Sequence, residues 1–207
     1  MSTNDPAALA RFQRARRFVL FALILVATAG LLFCGSAPQG SELHEFVEAV
    51  GLGLIGVAIV GRLWCTVYIG GRKAAEIVDR GPYSISRNPL YVFSTLAAAG
   101  VGAQTGSIVI AGLFAVISAN AFHVVILREE AYLKANFGAA FTAYMQRVPR
   151  FLPRFSLYRD AETVTLRPDR LYRTLGDGLV FFVAVPVFET IEALQASGSL
   201  PVLLRLP

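Results

Sequence analysis

Residues 89–127 read PLYVFSTLAAAGVGAQTGSIVIAGLFAVISANAFHVVIL, 39 residues without one Asp, Glu, Lys or Arg. An ordinary soluble domain is ~25% charged, so a run of this length points to lipid rather than water. It is slightly short for two spans of ~20 residues plus a turn. The small and polar stretch Gly102-Ala103-Gln104-Thr105-Gly106-Ser107 is where it divides. The expectation is a helical hairpin, with a shorter arm over 90–102 and a fuller arm over 107–127.

The rest of the chain is built around that hairpin. Its 207 residues are 55% apolar and only 16% charged, with a mean hydropathy of +0.58. This excludes a disordered chain, a disulfide scaffold and a typical soluble enzyme, and leaves room for about five spans. Arg11, Arg14, Arg16 and Arg17 precede a 21-residue uncharged run from Phe18 to Pro38. That is longer than the ~7–15-residue core of a signal peptide, so Phe18–Cys34 reads as a retained first span. A second segment, 45–69, holds one interior cation, Arg62, and the glycines Gly51, Gly53, Gly56 and Gly61, which permit close helix packing. Over 128–173 the chain turns polar and basic. There Leu133, Phe137, Phe141, Tyr144 and Val148 recur at helical spacing, an amphipathic stripe that Pro149 and Pro153 end. The last apolar segment, 171–194, carries Asp177 and Glu189 and would be kinked by Pro186. It suits a fifth span or an interfacial helix.

The fold expected is therefore all-α: a polytopic integral membrane helical bundle of about five transmembrane helices, with a helical hairpin and a cytoplasmic cofactor pocket. Residues 1–70 hold the tail and two spans, 71–154 a core, and 155–207 a C-terminal extension.

Net charge is +5, and its placement favours lipid headgroups over nucleic acid. Four Lys/Arg lie in the tail, four in 71–88 and nine in 128–173, against Arg205 alone on the other side. By the positive-inside rule both loops and the N-terminus face the cytoplasm. Cys34 and Cys65 sit in apolar runs as small hydrophobes, and two histidines, His44 and His123, are too few for a histidine-built metal site. No metal is expected.

Several clusters on that face carry polar chemistry. In Arg80-Gly81-Pro82-Tyr83-Ser84-Ile85-Ser86-Arg87-Asn88-Pro89-Leu90-Tyr91, Gly-Pro makes a turn and Asn88 stands near the N-cap of the following helix, with Pro89 in its first turn. Arg80 and Arg87 beside a helix start suit an anionic ligand, or equally the phosphates of lipid. Gly100-Val101-Gly102 near a helix end is either a close-approach point or a terminator. Glu129-Glu130 after Arg128 would oppose a helix dipole unless the helix continues or a cation binds. Arg150 and Arg154, between prolines, suit a carboxylate or phosphate, or headgroups.

In this order these motifs resemble the isoprenylcysteine carboxyl methyltransferase and phospholipid methyltransferase superfamily. The match covers about 80–154: Gly81-Pro82-Tyr83, Arg87-Asn88-Pro89-Leu90-Tyr91, Gly100-Val101-Gly102, Glu129-Glu130, Phe137-Gly138 with Phe141 and Tyr144, and Val148 through Pro153. The resemblance implies an integral membrane enzyme using S-adenosylmethionine. Carried over by motif, Asn88, Tyr91, Gly100, Gly102, Glu129 and Glu130 would border that cofactor. Arg87, Asn88 and Arg150 would form the catalytic set, holding the acceptor and closing the pocket. Many members have His where Asn88 stands, and Phe141 replaces a common tyrosine.

Methyl transfer from a sulfonium is an in-line displacement that needs alignment and dryness more than an enzyme nucleophile. The acceptor expected is a lipophilic or small molecule, a carboxylate, amine or thiol, met at a bacterial inner membrane. Two other readings fit the same segments: an NADPH-dependent reductase with a sterol-reductase-like core, and a non-enzymatic scaffold or transporter. The paired glutamates favour a cationic methyl donor over NADPH, and the near absence of ionisable groups in 89–127 disfavours a transport path.

Overall fold

The computed structural model describes residues 34–35, 41–72 and 76–205. Two compact units are present, one of residues 36–189 and one of residues 1–35 with 190–206. The expected first span at 18–34 lies almost wholly outside the described residues.

In the larger unit, α1 (Glu42–Ile69) begins where the Ser41 side chain accepts the His44 amide at 3.3 Å, with Glu42 and Glu45 complementing the helix dipole in its first turn. Its 28 residues are long enough to cross a ~30 Å hydrocarbon layer. A four-residue helix, α2 (Pro82–Ile85), follows the loop. The hairpin then forms as α3 (Pro89–Ala103) and α4 (Ile108–Arg147). Its turn lies at the expected break: Gly106 adopts a positive φ, and the Ser107 hydroxyl caps α4 by accepting the Ile110 amide. The Gln104 amide donates to the Glu48 carbonyl at 3.0 Å, tying this turn to the start of α1.

The four glycines of α1 divide by face. A Cβ on Gly51 would overlap Ala103 and Gln104, and one on Gly61 would enter the Phe93 ring, so both allow α3 to approach. Gly53 and Gly56 meet nothing and face outward. Beyond Leu127, α4 continues as one helix through the expected amphipathic stretch, broken only at Gly138, whose φ of +51° no β-carbon would tolerate well. That break lets Phe141, Tyr144 and Val148 pack as a buried cluster with Leu133 and Phe137.

The C-terminal apolar segment is α5 (Pro168–Leu179), a 3₁₀ turn (Val180–Val183) and α6 (Ala184–Ala196). Pro186 cannot donate to the carbonyl of residue 182, and the tighter turn falls where that bond is missing. Residues 168–196 together are long and apolar enough to cross a membrane, as are α1 and α4; α3 is shorter. In the smaller unit, Cys34–Gly35 (β1) pairs in parallel with Leu204–Arg205 (β2).

Candidate active site

The functional face is assembled by backbone hydrogen bonds between two loops far apart in sequence. The Gly81 amide donates to the Arg159 carbonyl, the Arg87 amide to Pro149 and the Arg154 amide to Ile85, each at 2.8–2.9 Å. The Ser86 hydroxyl donates to the Phe151 carbonyl at 3.0 Å, and the Ser84 hydroxyl accepts the Arg159 amide at 3.0 Å. An extended strap, 148–160, thus runs along the 80–88 loop. Pro149 and Pro153 keep its first part extended, and a single 3₁₀ turn follows at Phe155–Leu157. Gly81, at φ +55°, packs under the Tyr68 ring with no room for a side chain.

Beside this strap, a cleft of about 690 Å³ including its open mouth is bounded by the end of α1, the 76–91 segment and the 129–144 part of α4. Arg87, Asn88, Tyr91, Glu129 and Glu130 all line it.

The two glutamates do different things. Glu129 accepts the Tyr91 hydroxyl at 2.8 Å, and Tyr91 is in turn packed against Phe122, ring centroids 4.9 Å apart. Glu130 is buried and holds two arginines: Arg87 Nε lies 3.2 Å from Oε1, and Arg150 Nη2 donates to Oε2 at 2.8 Å. Arg87 Nη1 donates to the Met145 carbonyl at 2.7 Å. Two cations and one carboxylate therefore fasten helix, loop and strap together. Asn88 occupies the N-cap position of α3, but its side chain makes no cap; its amide donates to the Arg150 carbonyl at 3.2 Å instead. The opposite wall is aromatic. The Tyr144 hydroxyl donates to the Tyr83 carbonyl at 2.7 Å, and burial keeps the Tyr83 phenol well above its usual range, hence neutral.

Other residues singled out in the sequence lie elsewhere. A Cβ on Gly100 would stand 2.7 Å from the Gly51 carbonyl oxygen, and one on Gly102 would stand 2.9 Å from Ala111 Cα; neither glycine lines the cleft. Both serve helix–helix contact rather than approach to a cofactor. Arg150 reaches Glu130 without lining the cleft, and Arg80 sits exposed beside Asp79. Glu76, on the cleft wall and paired with Arg72 at 3.1 Å, was missed; one acid in a basic loop gives no periodic signal.

Residues 48–140 match the family model for phospholipid methyltransferase, and they contain α1 from its second turn, the hairpin and both glutamates. Two relatives extend the likeness over the whole chain. The cobalt-zinc-cadmium resistance protein CzcN of Cupriavidus metallidurans is 34% identical over 211 residues, covering 100% of this chain and 97% of that protein. The chain belongs to the phospholipid methyltransferase family. The nickel-cobalt-cadmium resistance protein NccN of Alcaligenes xylosoxydans xylosoxydans is likewise 34% identical, over 98% of this chain and 95% of its own length. No solved structure matches. Membership of this methyltransferase family agrees with the spans: the cleft is built at the ends of helices long and apolar enough for a bilayer.

Proposed function

We propose that the chain is an S-adenosylmethionine-dependent methyltransferase, with the cofactor in the cleft at the end of α1 and the start of α3. The observation that carries this reading is the division of labour between neighbouring carboxylates. Glu130 is fully engaged by Arg87 and Arg150, whereas Glu129 is oriented by the Tyr91 hydroxyl on the cleft wall. The lining suits the cofactor: the Glu129 carboxylate for a cationic group, and aromatic and aliphatic walls at Tyr83 and Leu133 for its base.

S-adenosylmethionine supplies, when bound, an activated methyl group for in-line displacement. The chain's own residues orient and exclude water. Tyr91 fixes Glu129, so that its charge is held in place before the cofactor arrives, a preorganised field rather than a reorganising one. Arg87 and Arg150, through Glu130, fasten the strap to α4 and the 80–88 loop. Asn88 pins the strap's backbone at Arg150. The acceptor approaches from the bilayer side, as a lipophilic or small carboxylate, amine or thiol; a carboxylate or thiolate needs no proton removed. On the strength of CzcN and NccN, we extend to this chain a part in metal resistance exercised through methylation of such a molecule at the cytoplasmic face of a bacterial inner membrane.

Calorimetry of the detergent-purified protein tests the reading. S-adenosylmethionine and its demethylated product should bind, NADPH should not, and Glu129→Gln should weaken cofactor binding tenfold or more. Binding of NADPH alone, or a Glu129→Gln affinity equal to wild type, removes the assignment.

A further inference from the structure

We propose that the strap is an interfacial anchor: Leu152 and Phe155 insert among the acyl chains of the leaflet on the basic side of the membrane, and Arg154 and Arg159 hold the phosphates of anionic phospholipids there. Two ring contacts fix its depth. Phe151 stacks on His123 of α4 with centroids 5.9 Å apart, and His123 stands five residues on the apolar side of Arg128. Tyr158 packs against Trp64 of α1 with centroids 6.3 Å apart, and Trp64 stands five residues inside the end of α1 at Ile69. Both helices are long and apolar enough to cross a membrane. At 1.5 Å per residue, each contact lies about 7 Å short of where its apolar run ends. That level is the boundary between headgroups and acyl chains, not bulk water.

Between those two points the strap bonds to the 80–88 loop, and the side chains it leaves uncovered are apolar or cationic. Leu152 is 83% accessible, the most of any large apolar side chain among the described residues, and Phe155 is 74% accessible. At this depth acyl chains cover them. The charges agree. Arg154 and Arg159 are exposed, and neither side chain pairs with a carboxylate among the described residues. Asp160, the one acid of the strap, already accepts the Tyr68 and Tyr158 hydroxyls and the Ala161 amide. Arginine stems lie along apolar surface while their heads reach outward to the phosphate layer, where a guanidinium can take a phosphate through paired N–H bonds. Anionic headgroups strengthen the attraction for each such cation. Because Arg150 ties the same strap to Glu130, the anchor joins the leaflet to the wall of the cleft. The inference requires a chain that spans the membrane and stands whether or not the cleft holds S-adenosylmethionine.

The test uses the full-length protein in phosphatidylcholine nanodiscs and reads depth and charge separately. For depth, a nitroxide is placed at Leu152→Cys or Phe155→Cys in a Cys34→Ala parent, whose remaining Cys65 is fully buried. Oxygen, which concentrates among acyl chains, should relax both labels more than a water-soluble nickel chelate does, with nitroxide lipids calibrating the depth. Labels relaxed mainly by the chelate overturn the proposal. Labels shielded from both relaxants mean that protein covers the patch, and overturn it too. For charge, Trp64 is the single tryptophan of the chain and lies against Tyr158 of the strap. Brominated phosphatidylglycerol should quench it with an apparent affinity roughly threefold or more above that of brominated phosphatidylcholine. Arg154→Gln combined with Arg159→Gln should bring the two lipids level. Equal quenching by both lipids in the wild type, a comparison that needs no variant, overturns the proposal, as does a double variant with the wild-type preference.

Discussion

Glu130→Gln is the substitution on which the architecture of the site is most exposed to measurement. Glu130 and Arg87 have side chains only 10% and 11% accessible, while Arg150 is 37% accessible. Removing one partner of a buried ion pair costs ~3–5 kcal/mol, because the other charge is left uncompensated. Arg87 keeps its bond to the Met145 carbonyl and glutamine keeps an acceptor oxygen, so the lower end, about 3 kcal/mol, is expected. The half-exposed Arg150 is screened and adds ~0–1 kcal/mol. At ~2–4 °C per kcal/mol for a chain of this size, the midpoint falls by roughly 6–16 °C. Arg150→Gln should lower it by no more than about 4 °C, since Glu130 retains Arg87. The assay is thermal unfolding at fixed detergent, followed through Trp64 fluorescence, with hydrogen exchange at the Arg87 amide, which donates to Pro149. Glu130→Gln should speed that exchange and Glu129→Gln should not. A Glu130→Gln midpoint within 2 °C of wild type, or an Arg150→Gln loss equal to it, would refute the account of Glu130 as the fastening point of the strap.

Gly100→Ala should destabilise the protein by ~1–3 kcal/mol, the usual cost of overpacking, because the new Cβ would meet the Gly51 carbonyl oxygen and Ile55. Gly53→Ala, on an open face, should stay within ~0.5 kcal/mol, and cofactor affinity of the folded Gly100→Ala protein should be unchanged; a selective loss of affinity would return Gly100 to the cleft. For Asp160, the Tyr68 hydroxyl first and the Ala161 amide second hold the carboxyl below its ordinary range. Its depressed pKa means that the contact stabilises the fold above the unfolded value of ~3.9 and is lost as pH falls through the folded one. Tyr68→Phe should move the Asp160 titration upward, read by carbon-detected NMR of the carboxyl; an unmoved titration would discount the contact.

What the sequence discloses, and what it withholds, follows from the range of each interaction. The hairpin was legible because its cause is local: a long uncharged run, a Gln-Thr-Gly-Ser break and a serine cap all lie within 20 residues of one another in sequence. Arg87, Asn88, Tyr91, Glu129 and Glu130 stood out as a set by motif, and the cleft brings all five together. Their roles were not legible in the same way. Glu129 and Glu130 are chemically identical neighbours, yet adjacent positions on a helix point ~100° apart. One therefore reaches Tyr91 on α3, while the other reaches Arg87 and Arg150. The strap's path, set by pairings between residues about 60–80 positions apart such as Gly81 with Arg159, brings Arg150 to Glu130. Gly100 and Gly102 fail for the complementary reason. A glycine pair reads the same whether the group it admits is a ligand or a neighbouring backbone, and here Gly51 on α1 fills the space. The cofactor's field is therefore best sought at the carboxylate that Tyr91 orients on the cleft wall. Adjacent acids at a helix exit should be separated by asking which of them an arginine from another element already claims.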